Sequence, residues 1–180
     1  PREGQVELRM QDAFEGIDFS PVTSFVEATA VKEHAERVDQ DCFEYDFGVL
    51  ANWGKGKGGP LMAEAMKRMP NKKCLWIGDR PKDGKAREGI DFVGQLSQTE
   101  AFARLCKCRV LVVPYLATRA FKWNYPLKLF ECLQIGRPIL ASDNPGNVAV
   151  AERYAGRITF FKSGDVEELV HTAMDMTEDQ

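Results

Sequence analysis

Two stretches combine residue types and spacings that chemistry can use. The first is Asn52-Trp53-Gly54-Lys55-Gly56-Lys57-Gly58-Gly59. Gly54, Gly56, Gly58 and Gly59 let the backbone come close to a ligand. The loop runs into a helix start, where orphan N–H groups and two lysines make a ready anion site. It is not a Walker loop, because the GxxxxGK[ST] spacing fails, and it is one residue short of the dinucleotide GxGxxG. The plain alternative is a flexible loop with solvated lysines. The second stretch is Trp123-Asn124-Tyr125-Pro126-Leu127-Lys128-Leu129-Phe130-Glu131, followed by Gly136-Arg137-Pro138. Lys128 and Glu131 are i, i+3 neighbours on one helix face. A surface ion pair would explain them. Pro126 suits the first turn of that helix. The helix follows a strand's carboxyl end, so its N-terminus points at the same crevice as the glycine loop.

Other residues need weighing beside these. Asp143 and Asn144 follow the fifth strand; Asp143 reads as a turn or capping residue or as part of a site. Tyr115, after Val113-Pro114, faces the crevice by topology. Trp53 and Trp123 either fill core or interface, or stack on a flat ligand. Leu127, Phe130 and Leu133, with Leu129, predict a core stripe. Cys42, Cys74, Cys106, Cys108 and Cys132 form no CxxC. Cys106-Lys107-Cys108 has only the distant His34 and His171 as imidazole partners, so no metal site is expected. Buried free thiols in a reducing compartment are.

The elements that must position these residues are regular from Tyr45 onward. Tyr45–Ala51, Lys73–Gly78, Ile90–Val93, Arg109–Pro114, Pro138–Ser142 and Arg157–Phe161 read as strands. Their continuous apolar runs suit a parallel sheet covered on both faces. Helices are predicted over Leu61–Met69, from Ser97, over Pro126–Gln134, over Asn147–Tyr154 and over Asp165–Met176. Ser97-Gln98-Thr99-Glu100 is a capping box. The strand–helix alternation predicts an α/β fold: a doubly wound, mostly parallel, Rossmann-like sheet of about six strands flanked by helices. Ligands of such sheets bind beyond the strands' carboxyl ends. Residues 1–43 are polar and acidic, with a helix expected within Val22–Val38.

Length and composition set outer bounds. The chain has 180 residues, with 44 % hydrophobic and 28 % charged residues. That is one ordinary globular domain rather than a disordered chain. The formal net charge of −3 argues against a general nucleic-acid binder. No apolar run approaches the ~18 residues of a membrane span. The first residues do not read as a secretory signal. Pro1 in place of Met reads as a cut inside a longer protein.

In combination the motifs resemble a known family. Pro126-x-Lys128-x-x-Glu131, then Gly136-Arg137-Pro138-Ile139-Leu140-Ala141-Ser142-Asp143, resembles the donor-site signature of GT-B glycosyltransferases, family 4 in particular. Lys57-Gly58-Gly59 resembles the end of that family's glycine loop. Leu75-Trp76-Ile77-Gly78-Asp79 resembles its second strand, and Phe92-Val93-Gly94-Gln95-Leu96-Ser97-x-x-Glu100 its F-x-G segment. Gly16-Ile17-Asp18-Phe19-Ser20-Pro21 resembles the connector between its two domains. The resemblance covers about residues 16–176.

The resemblance implies a role. Residues 1–43 would be the interdomain connector and a partly helical segment, and 44–180 the nucleotide-sugar donor-binding domain. The full-length enzyme would transfer a sugar, hexosyl in type, from a nucleotide diphosphate to an acceptor in polysaccharide biosynthesis. It would be retaining, with no metal and no cofactor beyond the donor substrate. Its partners would be the nucleotide sugar and an N-terminal acceptor-binding domain, not nucleic acid. It would be cytoplasmic, with a place at the inner face of a membrane open to it. By position, Lys57 and Lys128 would meet the diphosphate and Glu131 the ribose hydroxyls. Asn52, Gly54, Gly56, Gly58, Trp123, Asn124, Tyr125, Asp143 and Asn144 would complete the donor site. Two positions depart from the family pattern. Trp123 stands where a first glutamate is usual, and Asn52 where an arginine is usual. Arg119 and Lys122 are candidate substitutes. The departures keep a degenerate, binding-only domain as the alternative. The missing GxGxxG argues against a sugar-nucleotide epimerase. Without an acceptor half, this chain is expected to bind donor without turnover.

Overall fold

The computed structural model describes residues 43–118, 127–151 and 158–178. The expected connector, the Val22–Val38 helix and Trp123, Asn124 and Tyr125 lie outside these residues, as do Cys42, Arg119 and Lys122. The elements run β1 (Tyr45–Leu50), α1 (Gly59–Arg68), β2 (Cys74–Ile77), β3 (Ile90–Gly94), α2 (Gln98–Leu105) and β4 (Cys108–Val113). Then come α3 (Leu127–Ile135), β5 (Ile139–Ser142), α4 (Pro145–Ala151), β6 (Ile158–Phe161) and α5 (Val166–Glu178).

Six strands form one sheet in the order β3-β2-β1-β4-β5-β6, and every pairing is parallel. The expected Rossmann-like fold is therefore present, with five helices flanking the sheet. The central strands are the most apolar, as burial on both faces demands. All four residues of β2 and all four of β5 are buried. β1 lies between β2 and β4, and Gly48 there leaves room for the Cys108 and Leu105 side chains.

Local chemistry sets the helix ends. At α2 the Ser97 hydroxyl accepts from the Glu100 N–H, while the Glu100 carboxylate accepts from the Ser97 N–H. Met62, Ala65 and Met66 bury one face of α1. α1 lies beside α5, and Arg68 pairs with Glu167 across them. The predicted stripe on α3 needs one correction. Leu129, Phe130, Cys132 and Ile135 are buried, but Leu127 is 55 % exposed. Leu127 opens the helix and lines a cavity rather than the core.

Strand order reverses direction between β1 and β4. With right-handed crossovers, chains leave these two strands toward opposite faces. The crevice between their carboxyl ends is where a ligand fits.

Candidate functional site

The loop after β1 is a tight wrap rather than an open ribbon. The Lys57 and Gly59 N–H groups donate to the Gly54 carbonyl at 3.2 and 3.1 Å, and the Gly58 N–H donates to Lys55 at 3.1 Å. Those three donors are thus satisfied inside the loop. Gly58 has φ +79°, and a Cβ there would lie 2.0 Å from the Pro114 carbonyl oxygen. Only glycine fits that approach and that backbone region. The Leu116 N–H donates to the Gly56 carbonyl at 3.0 Å. The loops after β1 and β4 are therefore fastened to each other across the reversal point.

Between them opens a cavity of about 590 Å³. Asn52 and Lys57 line it from the β1 loop, and Tyr115 from the β4 loop. Leu127 and Lys128 come from the start of α3, and Asn144 and Asn147 from the β5–α4 turn. Gln95 and Leu96 close it beyond β3. These residues come from four separate loops, and the fold brings them to one place.

Its electrostatics follow from burial and from two lysines. The Lys57 ammonium lies 4.3 Å from the centre of the Tyr115 ring, a cation–π distance. Burial, then the charge of Lys128, push the Lys57 ammonium below its ordinary pKa. Burial first, then Cys132 and Glu131, push the Tyr115 phenol well up, so it stays neutral. Lys128 Nζ lies 2.8 and 3.1 Å from the two Glu131 carboxylate oxygens. Glu131 is held by Lys128 without itself lining the cavity. Two cations facing one space suit an anion, and a carboxylate beside them can accept from hydroxyls.

The remaining candidates fall into three groups. Asn52, Lys57, Lys128 and Asn144 line the cavity together. Gly54, Gly56 and Gly58 build the loop that carries Lys57 without lining the cavity. Asp143 accepts from the Ser163 N–H at 2.6 Å, so its carboxylate braces the turn after β6. Trp53 joins an aromatic cluster, with its ring centre 4.9 Å from that of Trp76 and 5.3 Å from that of Phe92. Arg87 covers it at 5.6 Å. Asn147 and Gln95 escaped the reading of single residues. Asn147 is buried, and its amide donates to the Ser142 carbonyl at 3.0 Å. Its place just past a strand's carboxyl end was the available signal. Gln95 followed β3 in the same way, and it donates to Asp79 at 2.8 Å.

Cys74, Cys106, Cys108 and Cys132 are buried free thiols. Among the described residues no three His, Cys, Asp or Glu side chains gather as a metal site. Among them, too, no helix is long and apolar enough to cross a membrane.

A cavity at the reversal point of a 3-2-1-4-5-6 sheet places this chain among the doubly wound α/β domains, which take their ligands there. Comparison narrows it. The family described as "Glycosyl transferases group 1" matches residues 45–179, and this chain belongs to it. Sucrose-phosphate synthase of Thermosynechococcus elongatus superposes with TM-score 0.60 at 16 % identity, over 84 % of this chain and 40 % of that one. WaaG, a glycosyltransferase involved in lipopolysaccharide biosynthesis, gives 0.57 at 16 % identity, over 87 % and 44 %. Anabaena Alr3699/HepE, solved with UDP and glucose, gives 0.56 at 13 % identity, over 86 % and 44 %. These likenesses are of GT-B fold, and this chain spans about two-fifths of those proteins' length. A comparison with curated protein sequences gave no match.

Proposed function

We propose that this domain holds the nucleotide-diphosphate sugar of a glycosyltransferase, with the acceptor held by a second domain. One observation carries the reading. Lys57, from the loop after β1, and Lys128, from the first turn of α3, face one cavity, with Glu131 beside Lys128. The lysines would take the diphosphate, and Glu131 the ribose hydroxyls. Asn52, Asn144 and Asn147 add neutral donors and acceptors around them.

Transfer breaks the bond between the sugar's anomeric carbon and the diphosphate oxygen. A new bond forms to the oxygen of an acceptor hydroxyl, whose proton passes to the departing diphosphate oxygen. Negative charge grows on the leaving diphosphate, where ammonium groups stabilise it without a metal. Retention of anomeric configuration is part of this proposal. So are a hexosyl donor and a role in building a polysaccharide. Buried free thiols suit a cytoplasmic enzyme, and the full-length protein would work there or at the inner face of a membrane.

The test is calorimetry of the 180-residue chain with UDP, GDP and ADP, with and without EDTA. One of them should bind in the micromolar to millimolar range, unchanged by EDTA. Silence from all three at millimolar concentration refutes the donor site. Loss of binding in EDTA refutes metal independence. A second reading, a degenerate domain that binds donor without transfer, is favoured by Asn52. It lines the cavity where the family resemblance leads to an arginine. A full-length chain that binds donor yet neither transfers nor hydrolyses it would decide for this second reading.

A further inference from the structure

Lys128 and Glu131 form an ion pair beside the cavity. A single ammonium sits at 2.8 Å from one carboxylate oxygen and 3.1 Å from the other. The pair is sheltered, with Lys128 39 % and Glu131 22 % exposed at the side chain. Lys128 reaches the cavity, while Glu131 stands behind it. Lys57 faces the same space and feels the charge of Lys128. Two cations thus face one space, and one of them also holds both oxygens of a carboxylate.

An anion entering between the lysines changes that balance. It competes with Glu131 for the Lys128 ammonium. Each oxygen that Lys128 releases becomes free to accept from a hydroxyl. A neutral nucleoside offers hydroxyls but nothing to draw the ammonium away. It must break a charge-assisted pair with no replacement. A phosphorylated nucleoside offers both partners at once.

We propose that Lys128 is a specificity-determining residue: it keeps Glu131 occupied until a phosphate enters, so the carboxylate receives sugar hydroxyls only from phosphorylated nucleosides. The inference rests on the donor-site reading above. It makes binding of the phosphate and binding of the ribose cooperative through one side chain, with the coupling equal in both directions.

The experiment is a chemical-shift titration of the isotope-labelled 180-residue chain, which reads weak binding directly. The ligands are uridine, guanosine and adenosine, each beside its diphosphate. The proteins are the wild type, Lys128→Met and Lys128→Gln, each checked for a native spectrum. In both variants the diphosphate should bind about tenfold more weakly, having lost a charge-assisted bond. The matching nucleoside should bind more tightly, by up to about fivefold, because the sheltered pair no longer has to be broken. The preference for the diphosphate then collapses from both sides. A merely structural lysine would weaken both ligands alike. Nucleoside affinity that is unchanged or weaker in both variants overturns the inference while the donor site stands. Failure of the wild type to bind any diphosphate refutes the donor site, and this inference with it.

Discussion

Gly58→Ala is expected to destabilise the domain through two separable effects. The first is backbone: φ is +79° at Gly58, a region that costs an L-residue about 1–2 kcal/mol. The second is contact: the new Cβ would lie 2.0 Å from the Pro114 carbonyl oxygen and 2.7 Å from its carbon. That neighbour is main chain and cannot swing aside, so relief requires backbone shifts costing about 1–3 kcal/mol. The sum is about 2–5 kcal/mol. Two controls isolate the terms. Gly84 also has positive φ, +66°, but a Cβ there meets nothing within 4 Å. Gly84→Ala should therefore cost only the backbone term, about 1–2 kcal/mol. Gly54 has neither a positive φ nor a neighbour within 4 Å. Gly54→Ala should stay within about 0.5 kcal/mol of the wild type. Urea unfolding followed by tryptophan fluorescence suits the measurement, because Trp76 is fully buried. In a domain of this size each kcal/mol moves the thermal midpoint by about 2–4 °C. Nucleotide affinity should fall with Gly58→Ala, since the same approach holds Lys57 beside Tyr115. Gly58→Ala and Gly84→Ala agreeing within about 0.5 kcal/mol would refute the contact argument.

Lys57 carries a pH signature: its folded pKa lies below the unfolded value, so the unfolded chain binds more protons between the two. Stability should rise with pH through that alkaline window. Lys57→Met should flatten the rise, raise the thermal midpoint at neutral pH and weaken diphosphate binding; an unchanged pH slope would sink the assignment. Ser97→Ala removes the hydroxyl half of the α2 capping box and leaves the backbone N–H from which Glu100 accepts, and it should cost about 1 kcal/mol in urea unfolding; a change below a few tenths would show the cap to be redundant. Burial pushes the Cys108 and Cys132 thiols up to about 12, and raises those of Cys74 and Cys106. All four should resist thiol reagents in the native chain at pH 8, as read by peptide mass mapping; rapid labelling of Cys132 would contradict the burial.

The sheet was legible because its strands are apolar throughout. Val110 to Val113 and Ile139 to Ala141 can lie only between two covered faces. The α2 start was legible because Ser97 and Glu100 carry their own geometry. Lys57, Lys128 and Asn144 were legible because they follow strand ends. Leu127 was not. Helical spacing tells which residues share a face, not which of them opens on a cavity instead of the core. Gly58 was half legible. Its loop was found, but its reason is the carbonyl of Pro114, which no local pattern announces. Trp53 was read as core or interface ahead of a stacking residue, and its place against Trp76 and Phe92 agrees with the first reading. Asn147 was read only as the start of a helix, and its amide's reach back to the Ser142 carbonyl is not visible in the sequence.

The bond from Leu116 to Gly56 also dictates when the cavity can come into being. Three strands and two helices separate these residues along the chain. Pairing of this kind is non-local, and its loop-closure entropy must be met before any contact repays it. On the ribosome, β1 and its glycine loop emerge first and must wait for β4. A nascent chain that ends before Leu116 has most of its eventual sheet but not the bond that fastens the two loops beside the cavity. Under the proposed function, nucleotide binding would report that the centre of the sheet has closed, and it could time that event during synthesis.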